Sequence, residues 1–177
     1  MDTTDFNRLL LKTAFSCMAC DGDIDKREVE LIKKLQQERQ TFGELGVDDE
    51  LNKLLVEINQ DGHQFLQGYF EELKAADLSE TNELKLIEVA IDTIKADDKV
   101  EYSEIKFFKV IRAKLKIDNE AILHKHPDFE DYLEDDIITD SYLARLKEDF
   151  FDTHIANEFE MLPKIDDSFL EEKNETD

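Results

Sequence analysis

Apolar residues recur along this chain at steps of three and four, and the stripes they draw are those of amphipathic helices. Phe6, Leu9, Leu10, Ala14, Cys17 and Met18 mark a first helix that Asp5 would cap and that runs to about Cys20. After a turn at Asp21-Gly22-Asp23, Asp25 and Glu28 stand at capping-box spacing and open a second helix, with Val29, Ile32 and Leu35 inward. Gly43 and Gly46 end it. Asp48 opens a third helix (Leu51, Leu54, Leu55, Ile58), and the break at Asp61-Gly62 leads to a fourth (Phe65, Leu66, Tyr69, Phe70, Leu73). Ser79 would cap a fifth helix, with Leu84, Ile87, Ala90, Ile91 and Ile94 on its stripe. A turn at Asp97-Asp98-Lys99 leads to a sixth (Ile105, Phe108, Ile111, Leu115), and Asp118 would cap a short seventh that ends near His124. From Phe129 to Ile138 no clean period survives. Residues 141–156 read as helix again, and an acidic tail follows.

With only five Gly and two Pro and no bounded Val/Ile/Thr runs, the expected fold class is all-α. A chain of 177 residues can bury one sizeable core, and 41% apolar content with 12 Phe is globular despite 38% charge. The expected division is a helical domain over 1–125 and an acidic extension over 126–177.

A shift of 76 residues superimposes the first helix pair on the fifth and sixth. Ala14 falls on Ala90, Met18 on Ile94, Asp21 on Asp97, Ile24 on Val100, Asp25 on Glu101, Glu28 on Glu104 and Val29 on Ile105. Apolar positions meet apolar ones and both turns keep their acids, which reads as a duplicated helix–acidic turn–helix unit. The run Ala19-Cys20-Asp21-Gly22-Asp23-Ile24-Asp25-Lys26-Arg27-Glu28 resembles the A-x-D-G-x-x-x-x-x-E turn of the tellurite-resistance TerB family, whose superfamily includes the N-terminal domain of the co-chaperone DjlA. A second copy stands at Ala96-Asp97-Asp98-Lys99-Val100-Glu101-Tyr102-Ser103-Glu104, with Asp98 in place of the family's Gly. The resemblance spans roughly residues 5–120. It implies an all-helical bundle, a divalent-cation site in the acidic region, and a role in bacterial stress response or biological conflict, tellurite resistance included, as a peripheral member of a membrane-associated assembly.

The residues argue for a cation independently. Seven residues separate Asp21 from Glu28 and Asp97 from Glu104, so each turn can fold a carboxylate from a helix end toward one in the next helix's first turn. Crowded carboxylates repel unless a proton or cation intervenes, and hard cations such as Ca²⁺ or Mg²⁺ prefer oxygen ligands. Asp21, Glu28, Asp97 and Glu104 are the first candidate ligands, with Asp23, Asp25 and Glu101 behind them. The competing reading assigns the same acids to capping and the helix dipole. The turn is not an EF-hand, because Lys26 stands where that loop needs Gly and Ile32 where it needs Glu. The cofactor expectation is therefore Ca²⁺, Mg²⁺ or another divalent cation, and no organic cofactor.

Charge narrows the partners. Acids outnumber bases 45 to 22, a net charge of −23, which repels nucleic acid. Residues 126–177 hold 18 acids and four bases. Phe129, Tyr132, Leu133, Asp135 and Asp136 are candidate contacts for a protein partner, basic or membrane-associated, since apolar anchors bind while acids steer. No basic segment followed by an apolar run opens the chain and no run of about 18 apolar residues occurs, so the expected place is the cytoplasm, or the inner-membrane periphery through partners. Cys17 and Cys20 have C-x-x-C spacing but lie at a helix C-terminus and read as small core residues. His63, His124, His126 and His154 are scattered among acids. With no matched nucleophile or oxyanion donor, the chain reads as no enzyme. The alternatives are an acidic inhibitor or immunity-type protein neutralising a basic partner, and an acid-base hydrolase relying on Glu28 or Glu104.

Overall fold

The structure is a computed structural model that describes residues 1–21, 24, 26–96, 100 and 102–133. The described residues are helical, with no strand among them. The helices are α1 (Thr3–Met18), α2 (Lys26–Arg39), α3 (Val47–Gln60), α4 (Gly62–Ala75), α5 (Glu80–Ile94), α6 (Tyr102–Lys114), α7 (Asn119–Lys125) and α8 (Glu130–Leu133). A 3₁₀ turn, Ala19–Asp21, continues α1, and another, Pro127–Phe129, precedes α8.

The centre of the bundle is the pairing of α1 with α5, the most extensive helix contact in the fold. Both are buried on more than one face, as a helix surrounded by others must be. In α1, Leu9, Leu10, Leu11, Ala14, Phe15 and Met18 are all sealed from water, and in α5 so are Leu86, Ile87, Ala90, Ile91 and Ile94. α3, α4 and α6 pack on α1, while α2 and α7 pack on α5. Aromatic rings tie the layers together. Phe15 meets Phe65 edge-on at 5.7 Å, and Tyr69, Phe70 and Phe107 join α4 to α6. The Tyr69 hydroxyl donates to Thr13 Oγ1, which donates to the Leu9 carbonyl, so these buried hydroxyls stay satisfied.

Local signals behave as their chemistry dictates at several ends. Asp61 caps α4 by accepting from Gln64 N, and Ser79 caps α5 by accepting from Asn82 N. Three starts differ from expectation. Asp118 stands at the N-cap of α7 but its side chain makes no capping hydrogen bond. Asp2, not Asp5, caps α1, and Asp5 N is the donor it receives, so the helix begins one turn earlier. α3 begins at Val47, which is buried, leaving Asp48 in a first turn with Asp49 and Glu50 where acids suit the helix dipole.

The end of α2 is fixed by Gln36. Its amide donates to the Gly43 carbonyl and accepts from Phe42 N, which locks the fully buried Phe42 into place. Gly43 has φ +62°, a backbone conformation that favours glycine, and a Cβ there would lie 2.3 Å from the Asn7 amide nitrogen, so that side chain would have to move aside. A second clamp joins α5 to the loop after α6. The buried Glu83 accepts from Lys116 N at 2.8 Å and Ile117 N at 2.6 Å.

The packed core continues beyond residue 125. Phe129 is buried edge-on against Phe108 at 4.9 Å, Leu133 is buried, and Lys95 pairs with Asp128 beside them. The expected helix over 141–156 and the tail after it lie outside the described residues.

Candidate functional site: two acidic turns

Each candidate turn ends in a helix whose first turn carries a glutamate, Glu28 in α2 and Glu104 in α6. Neither side chain lies out in water. Glu28 is 8% exposed and Glu104 7%, which for carboxylates is a departure from the usual surface position. Ionised carboxylates withdrawn from water need protons, donors or cations around them. Both glutamates engage partners within the fold.

The two converge on one residue. Cys17, in the last turn of α1, is buried, and burial is the main reason its thiol is pushed far above the ordinary value. The negative charges of Glu104 and then Glu28 push it further in the same direction. Two acids 76 positions apart in the chain thus act on the same thiol. For Glu104 the packing explains how, because α6 rests on the Ala19–Asp21 turn and on α1. Three other pairs at that interval share their burial, while Val29 is buried and Ile105 only half-buried. Ala14 and Ala90, and Met18 and Ile94, are sealed, while Ile24 and Val100 both pack partly buried against the core.

Of the remaining candidate ligands, Asp23, Asp25, Asp97 and Glu101 and the side chain of Asp21 lie outside what the structure describes. The backbone of Asp21 closes the 3₁₀ turn after α1. Among the described residues no group of three or more His, Cys, Asp or Glu is arranged to hold a metal ion. Glu28 and Glu104 are the two candidate ligands whose side chains the structure describes, and each carries the carboxylate oxygens that a hard divalent cation prefers. A complete ligand set would draw on Asp21 and Asp97 as well.

Cys17 and Cys20 are both buried and occupy core positions. His63 lies in the first turn of α4, His124 is exposed near the end of α7, and His126 is half-buried just after it. Of the proposed partner contacts, Phe129 and Leu133 are buried in the fold and Tyr132 packs against it, while Asp135 and Asp136 lie outside the described residues. The burial of Phe129 depends on Phe108, and no periodic signal in its own short segment could have revealed it. No helix among the described residues is long and apolar enough to cross a membrane. In comparisons with known proteins, no family model, no curated protein and no solved structure matches the chain.

Proposed function

We propose that the chain is a non-catalytic TerB-like protein whose two acidic turns bind divalent cations and which acts through protein contacts in a stress-response or conflict system. The observation that carries this reading is the shared inward placement of Glu28 and Glu104, each opening the helix after an acidic turn and each acting on Cys17. Desolvation strengthens a carboxylate's hold on a cation. The cation would neutralise the acids and tie the second helix of each unit to the end of the first. Tellurite resistance, a membrane-associated assembly and a duplicated ancestry extend this reading through the resemblance of the two turn motifs.

Calorimetric titration of the chelator-treated protein with Ca²⁺, Mg²⁺, Mn²⁺ and Zn²⁺ tests it. At least one ion is expected to give saturable heat and a higher melting temperature, since a ligand bound by the folded state alone stabilises it. Glu28→Gln and Glu104→Gln should each weaken that binding. Absence of both heat and stabilisation for all four ions would end the cation reading.

A further inference from the structure

The bases of this chain are not spread evenly over its acidic surface. From Ile105 to Ile117 it carries Lys106, Lys109, Arg112, Lys114 and Lys116 and not one acid, in a chain of 45 acids and 22 bases. That stretch is the body of α6 and the residues just after it. Phe107, Phe108, Val110 and Ile111 turn one side of the helix into the core. Lys106 and Lys109 fall between those positions and are partly exposed, while Ala113 and Lys116 are open to water. The ring of Tyr102, 67% exposed, lies one turn before Lys106, whose ammonium sits 4.1 Å from the ring centroid. The outward side of α6 is a basic strip.

Helix polarity accounts for part of this pattern. Arg112 and Lys114 stand in the last turn, where positive charge suits the carbonyl end, and Arg112 also donates to Asn119 Oδ1 and the Leu115 carbonyl. Lys106 and Lys109 lie too far back for that effect. Both have neighbours within the fold, and among the described residues no ion pair engages Lys114 or Lys116. The described chain also ends beside this helix. α8 packs on α6, Phe129 just before α8 meets Phe108 edge-on, and Leu133 is buried. Residues 134–140, which follow at once, hold Glu134, Asp135, Asp136 and Asp140 and no base. Seven extended residues reach roughly 25 Å, and α6, with 13 residues, is about 20 Å long. A separate acidic molecule would have to approach against a net charge of −23. A stretch tethered beside the strip meets it at high effective concentration instead.

We propose that residues 134–140 dock on the outward strip of α6, with their carboxylates set against Lys106, Lys109 and Lys116. Single exposed ion pairs contribute little, but several on one tethered strip act together. Asp135 and Asp136 then serve the chain's own surface rather than that of a partner. The strip contains none of the candidate cation ligands, so its test stands apart from the metal titration.

Backbone order parameters from amide relaxation of the full chain, with a chelator present, test this. Residues 134–140 are expected near the rigid value of about 0.85 at low salt. In 1 M NaCl, where charges are screened within about 3 Å, they should fall below about 0.6. Lys106→Glu with Lys109→Glu and Lys116→Glu should free the stretch in the same way. Adding Glu134→Lys, Asp135→Lys and Asp136→Lys to that variant should restore the order, because the pairs are then rebuilt with their signs exchanged. Should the changes on α6 prevent folding, Glu134→Gln with Asp135→Asn, Asp136→Asn and Asp140→Asn in an otherwise unaltered chain keeps the test decisive, and it too should free the stretch. Low order in the unaltered chain, order that survives salt or either set of substitutions, or no recovery in the charge-exchanged chain would each overturn the proposal. Order that rises with protein concentration would place a second copy on the strip and overturn it as well.

Discussion

Glu28 and Glu104 occupy the same place in two different helices, the first turn, and both direct their charge at the thiol of Cys17. This makes Cys17 an internal reporter of the region. Burial first, and then the charges of Glu104 and Glu28, hold its proton on well past the ordinary value of 9.0. The unfolded chain releases that proton near the ordinary value while the folded chain keeps it. The folded state therefore binds more protons above about pH 9, and stability must fall as pH rises there, by up to about 1.4 kcal/mol per pH unit. Below that value both states are protonated and Cys17 contributes no slope. Tyr69, buried beside Thr13, adds a second loss above its ordinary 10.0. Urea midpoints should show the alkaline decline, and Cys17→Ala should flatten its first part. An unchanged decline in that variant would contradict the placement of Cys17.

Glu83 is a structural acid of a different kind. It holds the backbone amides of Lys116 and Ile117, so Glu83→Ala would leave two donors without their acceptor. A loss of about 2–4 kcal/mol is expected in denaturant unfolding. Glu83→Gln keeps an acceptor oxygen and should lose clearly less. Equal losses would mean that the negative charge, rather than the hydrogen bonds, holds the loop.

Ser16 offers the opposite case. Among the described residues its hydroxyl is buried without a hydrogen-bond partner, which costs stability. Ser16→Ala should gain about 1 kcal/mol. For a chain of this size the melting temperature should rise by roughly 2–4 °C.

Phe108 and Phe129 test how far the core extends. Each substitution to Ala should cost about 3–5 kcal/mol if the rings are packed as described. Their edge-on contact at 4.9 Å should appear as a coupling of about 0.5–1.5 kcal/mol in a double-mutant cycle. Strict additivity would show that residues beyond 125 are not joined to the bundle.

The helical class was legible in the sequence because it rests on period alone, and stripes such as Leu51, Leu54, Leu55 and Ile58 repeat too regularly for anything else. The cap at Ser79 was legible because its hydrogen bond reaches only three residues ahead, whereas Asp61, read as a break, turned out to cap α4 in the same way. The cap of α1 was misread at Asp5, since Asp2 can accept a bond of the same kind one turn earlier. Long-range partnerships left no such trace. Nothing near Glu83 announces that its carboxylate will reach Lys116 and Ile117. Phe129 and Leu133 sit in a stretch too short and too mixed to show a face, so their place in the core follows only from where α6 lies. The candidate site was half legible. The spacing places Glu28 and Glu104 in first turns, but their burial is set by long-range packing, of α6 on α1 and the turn after it for Glu104 and of α2 on α5 for Glu28.

The central claim is that divalent cations bind at the two bends, and paramagnetic line broadening by Mn²⁺ tests it most directly. At substoichiometric Mn²⁺, amide signals of residues 17–28 and 95–104 should broaden first, and Asp21→Asn with Asp97→Asn should abolish this while the remaining spectrum stays folded. Broadening spread over the other acidic surfaces, or unaltered in that double variant, would contradict the claim.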